Sequence, residues 1–399
     1  MMAGSVSRRS LGVLFSVVFL DNLGFAIVFP YLLFYVESMG GSVFEYGLLL
    51  TSYSLMSFIF TPLVSRISDR HGRRSILLYA LGVSGFSYLV FGLANAMWLL
   101  FAARMIAGTT AASVPVAQAY AADVSTKQNR IKYLGLLGAA AGLAFIFGPA
   151  IGGVLSQFFG YVVPSLLASV IAFTNLAFAF FWLPEPIRPD YDYAKSAFTL
   201  AALRDLLRNK GLTLLFAIYF MFILAFVSLQ AVLPPWLKAT FSFDSLMTGL
   251  LLFYVGLISS VTQGVALPKL SKKWSTASLV QLGLVLFLFS FLVLGFTSDL
   301  FVLVAVSTLI SFGLGILLAS MSTLISLNAP KEAQGGSLGI AWGLASLAQT
   351  IAPIFSTELF TVGTSMGING LAFFVSALIS VLIVPLLMIF KRQNAGQNV

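Results

Sequence analysis

Twelve apolar runs dominate this chain and leave little freedom in how it folds. A helix that crosses a bilayer needs about 20 mostly apolar residues. Runs of that length occupy residues 11–36, 46–66, 75–94, 98–122, 131–155, 161–183, 211–236, 246–268, 276–297, 300–326, 336–360 and 368–390. Only 9% of the 399 residues are charged and 59% are hydrophobic, whereas soluble domains carry about 25% charge. The pattern excludes a soluble globular protein and a disordered chain. It predicts an all-α membrane protein with twelve transmembrane helices. The first run follows a short basic start that resembles a signal peptide, but no small-residue cleavage site interrupts it, so it reads as the first membrane helix.

The chain divides at its middle. Nine of the 35 charged residues fall in segment 184–210, where TLAALRDLL from Thr199 reads as a short amphipathic helix. That segment is expected to link two bundles of six helices, 1–183 and 211–399. Basic residues mark cytoplasmic loops. With the amino terminus inside, the inner segments hold 20 of the 22 Lys and Arg. Lys238 is expected outside and Arg104 within the membrane. Both termini are therefore expected on the cytoplasmic side of a cell membrane. The net charge of +9 then reports topology, and no nucleic-acid partner is expected. The chain has no cysteine and one histidine, His71, which stands among arginines. No metal or cofactor site is expected, and enzymatic chemistry has little material to work with.

The two halves align at a shift of about 204 residues: Pro30 meets Pro234, Gly135 meets Gly339, and Pro149 meets Pro353. Six is an even number, so the second copy enters the membrane in the same direction as the first. The repeats are then parallel, related by an axis along the membrane normal, as in one large class of secondary transporters.

The loop after the second run reads Ser65-Arg66-Ile67-Ser68-Asp69-Arg70-His71-Gly72-Arg73-Arg74. It resembles the G-x-x-x-D-R-x-G-R-R signature of the major facilitator superfamily, with Ser65 in place of the first glycine. Arg104 to Gly108 is similar to the family's R-x-x-x-G. Segment Ala119 to Gly135 fits as well. Gly148, Pro149, Gly152 and Gly153 resemble the G-P-x-x-G-G motif of the antiporter branch. Asp21, Asn22 and Gly24, followed by Pro30, look like the first helix of tetracycline and multidrug exporters. The resemblance implies the major facilitator fold and a secondary transporter that exports a small apolar or amphipathic compound in exchange for protons. A facilitator or symporter for a sugar, peptide or lipid is the alternative within transport. A non-transporting membrane sensor is the alternative of another class. A monomer in the lipid bilayer is expected, with a small molecule and protons as its partners.

The family fold places the loop of Asp69, Arg70, Gly72, Arg73 and Arg74 near the start of helix 11. Asp69, with Arg130 or Arg70 as its partner, is expected to latch the halves; plain positive-inside charge is the other reading. The helix 5 glycines, Gly138 and Gly142 as well as Gly148 and Gly152, lie four apart and suit close packing. Pro149 permits a bend.

Two charges stand deep within the spans, whereas Glu358 ends helix 11 near the outer surface. Asp21 lies about 15 Å into helix 1, and Arg104 about 9 Å from the outer end of helix 4. A charge at the bilayer centre costs about 2.5–3.5 kcal/mol on insertion scales and marks function by default. Asp21 can take up a proton, so Asp21 and Arg104 are candidates for proton coupling. A structural ion pair and a substrate-binding anion remain open. Candidate substrate contacts are Asn22, Phe25, Gln118, Tyr219, Phe226, Gln230, Trp342 and Gln349. Packing against other helices or lipid is the competing reading for the aromatics.

Overall fold

The computed structural model describes residues 8–125, 129–185, 209–330 and 334–393. Among them twelve helices are long and apolar enough to cross a membrane. In chain order they are α1 (Leu11–Ser38), α2 (Val43–His71), α3 (Arg73–Gly92), α4 (Met97–Asp123), α5 (Lys132–Phe159), α6 (Val162–Trp182), α7 (Lys210–Phe241), α8 (Ser245–Leu270), α9 (Thr276–Phe296), α10 (Leu300–Asn328), α11 (Gly336–Ser365) and α12 (Leu371–Arg392). The sequence gives every span within a few residues, and most run longer than the apolar stretch that marks them. The amphipathic helix expected from Thr199 lies outside the described residues.

Local chemistry sets the ends. Ser42 caps α2: its hydroxyl accepts from the Glu45 N–H, and the Glu45 carboxylate accepts from the Ser42 N–H, a reciprocal capping box. Asp299 caps α10 by accepting from the N–H groups of Phe301 and Val302. Gly72 separates α2 from α3 with φ at +112°, a region that side chains rarely enter.

Three spans depart from the α-helix. α1 tightens into a 3-10 turn at Phe29–Tyr31, around Pro30. α4 breaks between Met97–Thr109 and Ser113–Asp123. α8 widens into a π-helix at Thr262–Ala266. Pro234 and Pro235 of α7, by contrast, lie inside a continuous helix. The repeat thus conserves the proline position but not its effect.

The chain forms two compact units. One holds the described residues up to Glu185 together with Phe243–Tyr254; the other holds 209–242 and 255–393. In the first unit α1 packs on α4, α5 and α6, and α3 packs on α4 and α6. In the second, α7 packs on α10, α11 and α12, and α9 packs on α10 and α12. Each pair in one list returns in the other six helices later, the packing counterpart of the internal repeat.

Glycines decide how closely α1 and α5 approach. A Cβ on Gly148 would collide with that of Ala26, and one on Gly152 with the Ile27 carbonyl oxygen. Gly153 turns the other way, where a Cβ would lie 2.6 Å from the Ser245 carbonyl oxygen. There Gly249 and Ser245 of α8 meet α5, and the Ser156 hydroxyl donates to Ser245 Oγ at 2.8 Å. Gly138 does not join this seam: a Cβ there would meet nothing within 4 Å. The expected four-residue stripe is therefore corrected at Gly138, which faces open space.

This difference is measurable. Gly152→Leu should destabilise the protein by about 1–3 kcal/mol or more, because main chain cannot yield as a side chain does. Gly138→Ala should be neutral or stabilising by up to about 1 kcal/mol. Thermal unfolding of the two variants in detergent would separate them.

Candidate functional site

The first unit contains both charges that the sequence singles out. Asp21 is half-buried on α1, and its Oδ2 accepts from the Ser113 hydroxyl at 2.5 Å. Ser113 is the first helical residue after the break in α4. Pro115, two residues on, has no N–H to give the preceding turn. The turn at the break is closed by Ser113 N–H donating to the Thr110 carbonyl at 3.1 Å. Thr110 Oγ1 in turn lies 2.9 Å from Ser84 Oγ of α3. The break thereby presents a hydroxyl at the height of the carboxylate.

Arg104 is 5% exposed and does not form the direct ion pair with Asp21 that was one reading of the sequence. The reason is axial distance. The α4 residue that meets Asp21 is Ser113, nine positions beyond Arg104, about 13 Å along a helix. Arg104 instead places its guanidinium carbon 4.9 Å from the centre of the Phe91 ring, a cation–π contact. Its Nε has no hydrogen-bond partner. Tyrosines line the interval. Tyr53 and Tyr88 stand near both Asp21 and Arg104, and Tyr31 and Tyr46 near Arg104. The Tyr88 ring fills the place of a side chain at Gly24, 3.1 Å from the Cβ position.

Of the other candidates in this unit, Phe25 joins an aromatic group with Tyr53 (5.2 Å between ring centres) and Phe145 (6.2 Å). Asn22 donates its amide to the Val18 carbonyl, 2.8 Å away in its own helix. Gln118 is half-buried. In the second unit Tyr219 is only 8% exposed and belongs to the core. Phe226 is half-buried and packs with Phe222 and Phe287. For these two aromatics the packing reading describes their surroundings. Gln230 is half-buried, whereas Trp342 and Gln349, seven residues apart on α11, are both exposed.

The arginine-rich turn forms a network. Arg73 pairs with Asp69 at 2.5 Å, donates to Asp123 Oδ2 at 3.1 Å and to Ser68 Oγ at 2.7 Å. Asp69 was expected to meet Arg130 or Arg70; the ion pair found is with Arg73. Arg130 donates to the Ala122 carbonyl at 3.2 Å, at the end of α4, where the helix leaves carbonyls unsatisfied. Arg70 is exposed. Arg74 donates to the Phe180 carbonyl at 2.6 Å and stacks on the Phe180 ring. The Glu185 carboxylate reaches the N–H of Arg74 at 3.4 Å and lies 2.9 Å from where a Gly72 Cβ would stand. Gly72 is thus required both for its φ and for its lack of a side chain.

Three residues of this site escape the sequence reading: Ser113, Asp123 and Glu185. Asp123 closes the α4 segment whose motif the sequence reveals, and Pro115 flags the break beside Ser113. Glu185, between two prolines, carries no comparable sign.

The Arg73–Asp123 contact is partly exposed, with side chains 15% and 30% accessible, so its energy should be modest. A double-mutant cycle of Arg73→Gln and Asp123→Asn should give a coupling of about 0.2–1 kcal/mol in unfolding experiments. A value at or below zero would leave the two helices joined by packing alone.

The model of the Major Facilitator Superfamily matches residues 14–353 and 218–397. The tetracycline resistance protein of class B from Escherichia coli is 28% identical over 352 residues, covering 86% of each chain. The crystal structure of the human organic anion transporter MFSD10 (TETRAN) is similar with a TM-score of 0.72 at 24% identity, over 95% of this chain and 99% of that one. A bacterial homolog of the human lysosomal transporter Spinster, inward-facing and unoccupied, superposes with a TM-score of 0.83 at 14% identity, over 99% of both chains. The chain belongs to the Major Facilitator Superfamily and is a multi-pass membrane transporter, not an enzyme.

Proposed function

We propose that this transporter exports a small apolar or amphipathic compound in exchange for protons, by alternating access. The observation that carries the reading is Asp21. It is a carboxylate within a membrane span, held by one hydroxyl at a helix break and joined to no cation. Such a group can exchange a proton without first breaking an ion pair. Arg104, set in the group of tyrosines near it, is the second residue proposed for proton coupling. The tetracycline-resistance relatives support drug-like export. Phe25, Asn22, Gln118, Phe226, Gln230, Trp342 and Gln349 are the residues proposed to meet that solute; Tyr219, in the core, would act from behind them.

In the same reading, Asp69, Arg70, Gly72, Arg73, Arg74 and Arg130 form a conformational latch. Gly148, Pro149, Gly152 and Gly153 provide a tight seam against leak. The protein acts as a monomer in a cell membrane, with its arginine-rich loops and both termini in the cytoplasm.

Two experiments test the reading. In proteoliposomes, Asp21→Asn should abolish accumulation driven by a pH gradient while sparing exchange of labelled for unlabelled solute. Accumulation that persists in this variant would favour a facilitator. Because the chain has no cysteine, single-cysteine labelling is clean. Lys272→Cys should react with a membrane-impermeant reagent only from the cytoplasmic side, and Lys238→Cys only from the opposite side. The reverse pattern would overturn the orientation.

A further inference from the structure

A groove of about 750 Å³ lies between the first turns of α1 and the last turns of α6, within the roughly 300–1,000 Å³ of ligand clefts. Gly12 and Ser16 form one wall, and Phe178, Phe181 and Trp182 the other, with Arg74 also in the lining. Phe181 and Trp182 are 72% and 56% exposed. Trp182 ends its helix, at the depth where aromatic residues settle between headgroups and hydrocarbon.

Gly12 leaves its side of the groove open, since a Cβ there would meet nothing within 4 Å. Arg74 supplies a charge. An arginine carries five N–H donors; one guanidinium nitrogen here binds the Phe180 carbonyl, and Nε is buried. Glu185 meets the backbone of Arg74 and does not line the groove. The groove is therefore apolar along its walls and cationic at Arg74.

From this charge complementarity we infer that the groove is a site for an anionic phospholipid of the surrounding bilayer. An acyl chain lies along Gly12, Ser16 and the aromatic wall, and the phosphate meets Arg74. Basic pockets between membrane helices bind anionic headgroups in this way. The inference does not depend on which solute is carried or on how transport is driven.

The test is thermal unfolding in detergent with added dioleoyl-phosphatidylglycerol or dioleoyl-phosphatidylcholine. Ligand that binds only the folded protein raises the midpoint. The anionic lipid should raise it by about 2–4 °C more than the zwitterionic one. Gly12→Phe, whose Cβ meets no other atom and whose ring enters the groove, should remove that difference. Arg74→Gln should make the two lipids equivalent, a change in headgroup preference that a purely structural arginine would not produce. Native mass spectrometry of retained phosphatidylglycerol, with Ser16→Leu as a second blocking variant, covers the case in which Gly12→Phe folds poorly. Equal shifts from both lipids in the unaltered protein would overturn the proposal. So would a preference that survives both blocking variants. A third overturning result would be Gly12→Phe altering protease cleavage between residues 186 and 208 but not lipid response, since the chain itself would then cover the groove.

Discussion

Hydrocarbon offers a peptide group no hydrogen-bond partner, so a chain inside a bilayer must satisfy its backbone by itself. That constraint explains why the described spans are nearly continuous helices, and it makes each interruption informative. The interruption in α4 is closed locally by Ser113 N–H on the Thr110 carbonyl and by Thr110 Oγ1 on the Ala107 carbonyl. A contact between Thr110 and Ser84 ties it to α3. Once the backbone is satisfied, the Ser113 hydroxyl remains available, and it is given to Asp21. The interruption and the carboxylate belong to one arrangement.

The same constraint governs the two charges. A charge in hydrocarbon needs compensation, and the simplest compensation, a mutual ion pair, is not used. Arg104 rests on the Phe91 ring within a group of tyrosines, and Asp21 has its serine. A direct pair would be broken at every protonation, leaving one partner stranded at a cost of several kcal/mol. Keeping the charges apart lowers that penalty. The second half of the molecule carries no charge at the matching position: Ala225 stands at the repeat position of Asp21, 1% exposed, and α10 runs unbroken from Leu300 to Asn328.

Most of the fold was legible because length and apolarity are properties of a linear pattern. The twelve spans follow from them, and the six-helix shift in packing follows from the aligned prolines and glycines. Short-range contacts were legible in principle too, since Asp69 and Arg73 are four apart. Arg130, 61 residues from Asp69, bonds the Ala122 carbonyl instead. The bond between Ser113 and Asp21 was not legible. It depends on the rotation and height of α1 against α4, which neither segment encodes alone. The fate of the aromatics was hidden for a similar reason. Tyr219 and Trp342 sit in equally apolar helices, yet one is in the core and the other is exposed.

The meeting of Gly152 with the Ile27 carbonyl has a wider implication. It is a junction of main chain with main chain, six residues from Asp21, and no rotamer takes part in it. Helix α1 can therefore exchange many of the side chains it shows to a solute while the carboxylate keeps its height. On the function proposed above, a lineage of such proteins can change what it carries without moving the point at which the proton is handled.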